Sequence, residues 1–293
     1  MSQQIDDAHV KAFGDGVMLL AQQRGSRFRN AVSIDTEIKA VRKSYDQIGS
    51  TTMTKRTTRH ADTVYTDTPH SRRWVTPSPY DNADLIDKPD MVRTLNEFTN
   101  PYVRAFAAAA GRTIDDIIIA QFFATATTGQ DAGSTAAFPT ATHVVDSSGT
   151  ATLTLLKLLQ TREILESFEV EEEGDENKWF IALNALQRRF LLNTTEIKSS
   201  DYNTVKALVN GQIDEFLGLK FLKSERLLST SDPYDRIPVW SKASMKLGIS
   251  KDVSAEIDRL PTKRYSTQIF HSLDMGATRT DETGVVEIVC ALS

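Results

Sequence analysis

Residues 45–82 restrict what this chain can fold into more than any other stretch. Only nine of these thirty-eight residues are apolar, against 40% of the whole chain. The remainder is largely Thr, Arg, His and Asp, interrupted by Tyr65, Trp74 and Tyr80. Threonine and isolated aromatics favour extended strand over helix. A segment this polar cannot build a core of its own. It also lacks the Gly/Ser or Glu/Pro monotony of a disordered linker. The pattern predicts a long β-hairpin that leaves the body of the protein and lies on something else. In the absence of ligand chemistry elsewhere, that something is most often a second copy of the same chain.

The rest of the composition sets bounds. A length of 293 residues is enough for one large domain or two ordinary ones. A formal charge of −5 gives no global drive toward nucleic acid, whereas a duplex-gripping domain is usually basic. The single cysteine, Cys290, excludes an intramolecular disulfide framework and fits a reducing compartment. The start, Met1 to Asp7, has neither the basic nor the apolar region of a signal peptide. Apolar runs fall well short of the about 20 residues of a membrane span.

Along the chain, Val10, Phe13, Val17, Leu20 and Ala21 recur at helical spacing over 8–23, with Gly25 as a stop and Arg24, Arg27 and Arg29 beyond it. A short helix over 35–44 is expected, capped by Asp35. Two readings of this arm stand: contact with a neighbouring subunit, or a helical hairpin packed on its own core. Pro77 and Pro79 exclude a central strand and mark the return to the body. Residues 88–128 read as helical, with Asn100-Pro101 as a cap followed by a first-turn proline, an alanine-rich face, and a break or kink at Gly111. Asp115 and Asp116 would then open a continuation, where the helix dipole favours them. Residues 125–134 read as a small-residue loop.

From 151 to 226 the pattern is α/β. Leu153, Leu156, Leu159, Ile164 and Leu165 suggest an amphipathic helix ending in the acidic run 169–176. Lys178–Leu183 reads as a buried strand, 184–192 and 201–210 as helices, and Phe216–Leu222 as a strand containing Gly218. The closing third is β-rich. Its strands fall at 237–247, at 253–257 (with alternating Val253, Ala255 and Ile257), at 265–273 and at 285–290. Gly276 lies at a bulge or turn, and Glu282–Gly284 forms a turn.

A search for chemistry yields little. His9, His60, His70, His143 and His271 show no metal-ligand spacing, and no phosphate loop, dinucleotide fingerprint or nucleophile elbow is present. No catalytic residue, cofactor site or metal site is assigned. Cys290 and His271 fit a dyad on spacing alone, but both lie in β patterns that read as core. Adjacent Asp115 and Asp116 do not face each other on a helix. The acidic run 169–176 lacks the alternating ligands of a calcium loop and reads as a solvated loop. The strongest charge feature is Lys55, Arg56, Arg59, Arg72 and Arg73. These cations suit phosphates or the carboxylates of an adjacent subunit, and the acidic chain around them favours the latter.

The order of parts resembles the major capsid protein of tailed bacteriophages with the HK97-type fold. The run from Asn100 to Gly129 carries the likeness best. The stretch Phe13 to Arg29 and the closing Leu273-Asp-Met-Gly-Ala-Thr-Arg279 before a valine-rich strand add to it. The resemblance implies an α+β fold with an N-terminal arm at 1–44 and an extended loop (E-loop) at 45–88. It also implies a peripheral P-domain with a long spine helix from 89–150 and 251–293, and an axial A-domain at 151–250. It implies a head protein, not an enzyme. Many copies would form hexamers and pentamers of an icosahedral or prolate shell around a double-stranded DNA genome, without sequence-specific binding and without a membrane. Scaffolding, portal and decoration proteins are the expected partners, with any scaffold encoded separately. The expected location is the virion, after assembly in the host cytoplasm. Inter-subunit contacts are expected at Lys55, Arg56, Arg59, Tyr65, Arg72, Arg73, Trp74, Tyr80, Arg24, Arg27 and Arg29. Competing readings are an encapsulin-like compartment shell, a tail or connector protein, and an α+β enzyme using Trp179, Asn184 and the acidic loop.

Overall fold

The computed structural model describes residues 22–59, 62–86, 99–149, 151–170, 178–193, 215–227 and 234–292. The helices expected at 8–23 and 201–210 lie outside these residues, apart from the last two positions of the first. By contacts the chain divides into two compact units. One takes Pro79–Arg112 and Val253–Leu273 together with the chain up to Gly25. The other takes Ser26–Ser78, Thr113–Asp252 and Asp274–Ser293.

The second unit is organised by a run of five consecutive buried residues, β8 (Trp179–Leu183). A strand apolar on both faces must be covered on both. It lies inside a six-stranded mixed sheet of order β7 (Val144–Val145), β14 (Val285–Ala291), β11 (Tyr234–Ser241), β8, β10 (Leu219–Lys223) and β9 (Glu215–Phe216). β8 pairs parallel with β10 and antiparallel with β11, which pairs antiparallel with β14. On one face Trp179, Ile181, Leu219, Val239 and Ile288 pack with Leu158 and Leu165 of α2 (Leu155–Ser167) and Leu191 of α3 (Ala185–Asn193). The Thr154 hydroxyl caps α2 by accepting from Lys157 N–H at 3.4 Å. On the other face Trp240 donates to the Ala31 carbonyl at 2.8 Å and contacts the rings of Phe28 and Phe122 at 5.7 and 4.5 Å.

A four-stranded sheet of order β2 (Lys43–Ile48), β3 (His70–Val75), β5 (Ala126–Thr128) and β6 (Ser134–Ala136) belongs to the same unit. A further four-stranded sheet has the order β1 (Ser33–Asp35), β12 (Met245–Leu260), β13 (Ser266–Arg279) and β4 (Ser78–Ile86). β1 pairs parallel with the start of β12. In the first unit the distal halves of β12 and β13 are linked by Ser254 and Ser272, whose hydroxyls lie 3.0 Å apart. Phe106, from the first half of α1 (Thr99–Gln121), meets the ring of His271 edge-on at 5.4 Å.

Several expectations change. No helix occupies 35–44. Asp35 ends β1, and its carboxylate accepts from Glu37 N–H and from the Tyr45 hydroxyl instead of capping a helix. α1 is continuous through Gly111, so Asp115 and Asp116 lie in its second half and not at a helix start. Residues 126–136 form a strand pair where a loop is expected. Phe216–Leu222 is a tight hairpin and not one strand. Leu217 and Gly218 both take positive φ, as the turn between β9 and β10 requires. Leu156 and Leu159 are exposed on α2, and the buried positions are Lys157, Leu158, Thr161 and Leu165. β13 runs straight through Gly276, where a Cβ would stand 2.4 Å from the Thr76 carbonyl oxygen. Glycine is there for close backbone approach and not for a turn. Pro79 does fall in a strand, but β4 is the terminal strand of its sheet, where proline is tolerated.

Candidate assembly surface

The long polar segment begins with an ordered base. β2 and β3 pair antiparallel from Lys43 opposite Val75 to Ile48 opposite His70. The ladder ends where Gly49 N–H donates to the Pro69 carbonyl at 2.8 Å. Asp46 and Arg72 stand directly opposite and form an exposed ion pair. At the inner end, Asp35 accepts from Tyr45 at 2.8 Å and pairs with Lys43 at 2.7 Å. Burial pushes the Asp35 carboxyl up, but hydrogen bonds from Lys43, Glu37 N–H and Tyr45 outweigh it and hold the group at about 2. The same partnership, after burial, raises the Tyr45 phenol.

Among the described residues from 50 to 69 there is no strand. The described residues from 49 to 67 are all exposed. Met53, Val64 and Tyr65 are among them, with Met53 fully accessible and Tyr65 at 89%. Lys55, Arg56 and Arg59 share this loop, and Arg56 donates to the nearby Thr58 carbonyl at 3.1 Å. Among its described residues the loop has neither strand nor helix, which over such a length is uncommon inside a domain and is usually functional. Exposed large apolar groups beside cations are the composition of a surface that another protein covers.

The remaining expected contact residues divide. Arg73 is 9% exposed and donates to Glu282 at 2.7 Å within the same chain. Trp74 donates its indole N–H to the Gly129 carbonyl at 2.8 Å. Each therefore has a partner within its own chain, Arg73 on the 281–284 turn and Trp74 at the end of β5. Arg27 donates to the Lys223 carbonyl, and Arg29 forms a bidentate pair with Asp252 at 2.6 and 3.0 Å. Arg24 is exposed, and Tyr80 lies 42% exposed on β4.

Sequence reading missed the buried polar residues that tie the elements together. Asp115 on α1 is fully buried and accepts from Ser26 Oγ at 2.6 Å, Arg27 N–H at 3.0 Å and Phe28 N–H at 3.1 Å, so it anchors the chain entering the unit. Asp116 pairs with Arg226. Arg279 is 1% exposed and donates to the carbonyls of Phe122 and Ala124 at 2.9 and 2.8 Å. The Arg of the Gly276-Ala-Thr-Arg279 motif thus holds the C-terminal end of α1, and that motif was its only sequence signal. Lys157 is buried among the carbonyls of Ala151 and Val289 at 2.6 and 2.8 Å and pairs with Asp146 at 2.9 Å.

Of the residues considered for an enzyme, Trp179 lies in the core and Asn184 caps a helix. Trp179 is 1% exposed in β8. Asn184 accepts from Gln187 N–H at 2.8 Å as a helix cap and donates to Asp235 at 2.6 Å. Glu171–Glu176 lie outside the described residues. His271 and Cys290 belong to different sheets. Among the described residues no three His, Cys, Asp or Glu groups could hold a metal together, and no helix is long and apolar enough to cross a membrane.

The α+β body thus leaves an exposed, partly apolar loop beyond the β2–β3 hairpin. The chain belongs to the phage capsid protein family, whose model matches residues 5–292, and its function is that of a capsid shell protein. The fold is the HK97-type capsid fold. The chain is similar to the capsid structure of cyanophage P-SCSP1u, with 16% identity, a TM-score of 0.77, and coverage of 99% of this chain and 95% of that one. Similar too is a structure from Mycobacterium phage Che8, with 16% identity, a TM-score of 0.73 and coverage of 96% and 97%. The head structure of Helicobacter pylori bacteriophage KHP40 matches at 10% identity and a TM-score of 0.73, covering 100% and 99%. No curated protein sequence matches the chain. The role the family gives the chain is structural, its place is the virion capsid, and it associates with further copies in a multi-copy shell.

Proposed function

We propose that the loop 49–69 is the principal element by which each copy grips its neighbour, and that hexamers and pentamers so joined close into the shell. The observation that supports this is the exposure of Met53, Val64 and Tyr65 beside Lys55, Arg56 and Arg59 at the end of a fixed hairpin. Many modest contacts repeated over a closed lattice give a stable shell from individually weak interfaces. The division into an arm at 1–44, an extended loop at 45–88, a peripheral domain from 89–150 and 251–293 and an axial domain at 151–250 is part of the same reading. So are a double-stranded DNA cargo held without sequence-specific contacts, assembly in the host cytoplasm with scaffolding, portal or decoration proteins, and the lack of catalytic activity.

Arg72 and Arg73 do not test this cleanly, because Arg73→Glu would set a second carboxylate against Glu282 inside the subunit. The test is Lys55→Glu/Arg56→Glu/Arg59→Glu in the full chain, followed by size-exclusion chromatography and negative-stain microscopy. The expected result is a folded chain that forms no shells. Shells at the normal yield would overturn the reading.

A further inference from the structure

The loop beyond the β2–β3 hairpin has the composition of a strand and forms none. Residues 50–59 hold five threonines together with Met53, Lys55, Arg56 and Arg59, and no acidic residue. Threonine favours extended pairing, yet all of these residues are exposed and none is in a strand. An extended segment of this kind gains its ladder by adding to the open edge of another sheet. Side chains alternate along a strand. Added to an edge, the segment would carry Met53, Lys55 and Arg59 on one face and Arg56 on the other. An edge that suits it must therefore offer negative charge on both faces and some apolar surface.

β4 has these properties. It runs Ser78-Pro-Tyr-Asp-Asn-Ala-Asp-Leu-Ile86, with its first eight residues exposed. Among the described residues it is a terminal strand of its sheet. Its Leu85 N–H donates to the adjacent Asp84 carboxylate at 2.8 Å. Terminal strands pair readily with other chains unless proline, lysine or other charges guard them. Beyond Pro79, β4 has neither proline nor lysine, and its only charges are Asp81 and Asp84. Two carboxylates repel an acidic strand, a second β4 included, and attract a basic one. By alternation they stand on opposite faces, Asp84 with Tyr80 and Asp81 with Leu85. Tyr80 and Leu85 are each 42% exposed. Opposite charges and apolar groups paired across two strands are stabilising on both faces. We propose that residues 50–59 of one copy add to the edge of β4 of a second copy. This rests on the reading of the loop 49–69 as the grip, and it names the surface that the loop grips.

The test is charge exchange in the full chain, produced with the other head proteins of its phage and scored by particle yield in sedimentation and microscopy. Lys55→Glu/Arg56→Glu/Arg59→Glu and Asp81→Lys/Asp84→Lys should each lower the yield at least about tenfold, because like charges then meet across the pair. Carrying both sets in one chain should restore most of it. All five side chains are exposed, so thermal melts should not move. A β4 variant that does melt early is replaced by Asp81→Asn/Asp84→Asn, for which a loss of about threefold is expected. Normal yield from the folded β4 variant would overturn the proposal, as would a folded combined chain that recovers nothing. Either result, with a loop variant that fails to assemble, leaves the loop reading standing and seats the loop on another surface. Normal yield from the loop variant overturns both.

Discussion

The strand Trp179–Leu183 and the loop 49–69 belong to one unit and have opposite fates. Every residue of the strand is buried, with partners on both sides in the sheet. The described residues of the loop up to Asp67 are all exposed, with Met53, Val64 and Tyr65 left in water. Apolar content explains the strand, since burying such side chains is the main favourable term in folding. It does not explain the loop, whose three large apolar groups gain nothing inside the subunit. If the loop is the grip proposed above, stability and the capacity to associate are carried by separate residues. Polarity alone does not mark the boundary. Arg72, Arg73 and Trp74 follow the loop in the same polar stretch, yet Arg73 and Trp74 are spent on Glu282 and Gly129.

The contrast can be tested by substitutions ordered by expected effect. Trp240→Ala should cost about 4 kcal/mol in chemical denaturation, because it removes a fully buried ring, its contacts with Phe28 and Phe122 and its bond to Ala31. Arg279→Met should cost about 3 kcal/mol by leaving the Phe122 and Ala124 carbonyls without their donor. Gly276→Ala should cost about 2 kcal/mol, since the new Cβ would stand 2.4 Å from the Thr76 oxygen and one chain must shift. All three act on the interior, and a change below about 0.5 kcal/mol at any of them would break the contrast.

A pH titration should give a smaller effect. Burial lowers the pKa of His271 and of His143, in the latter against the opposing pull of Asp281 and Glu282. Below about 6.5 the unfolded chain therefore binds protons that the folded chain resists. Stability should be full above that pH and decline as pH falls through it. Urea midpoints at pH about 7.5 and about 5.5 should differ in the wild type and differ less in His271→Phe. Smallest of all is the expected effect of Lys55→Ser/Arg56→Ser/Arg59→Ser on melting temperature, which should be nil while particle yield drops. A melting shift as large as that of Gly276→Ala would mean that the loop supports the fold, and the separation would fail.

Much of the fold was legible in the sequence. Trp179–Leu183 and Val285–Cys290 are runs too apolar to be anything but interior strands, and the Asn100–Gly129 run with the closing Gly276–Arg279 motif carried the family. What escaped depended on partners distant in sequence. Asp35 has the chemistry of a helix cap, but Lys43 and Tyr45 claim its carboxylate across the start of the hairpin. Asp115 fits a helix start by local rules, yet it serves the chain at Ser26–Phe28, 87 to 89 positions away. Leu217 gives no local sign of accepting positive φ, so the hairpin at Leu217–Gly218 read as one strand. Of the expected contact surface, the loop residues Lys55, Arg56, Arg59 and Tyr65 are exposed.

The single thiol has a practical consequence. Cys290 is fully buried beside Lys157 Nζ at 3.8 Å, and burial pushes its thiol up to about 12. The thiolate is the reactive form, so the native chain is mute toward maleimides and similar reagents while it stays folded. A cysteine introduced at Met53, the most accessible large side chain of the loop, would be the one addressable sulfur in each copy. Dye uptake there before and after assembly would report directly which copies have their loop covered, and how quickly a forming particle closes over it.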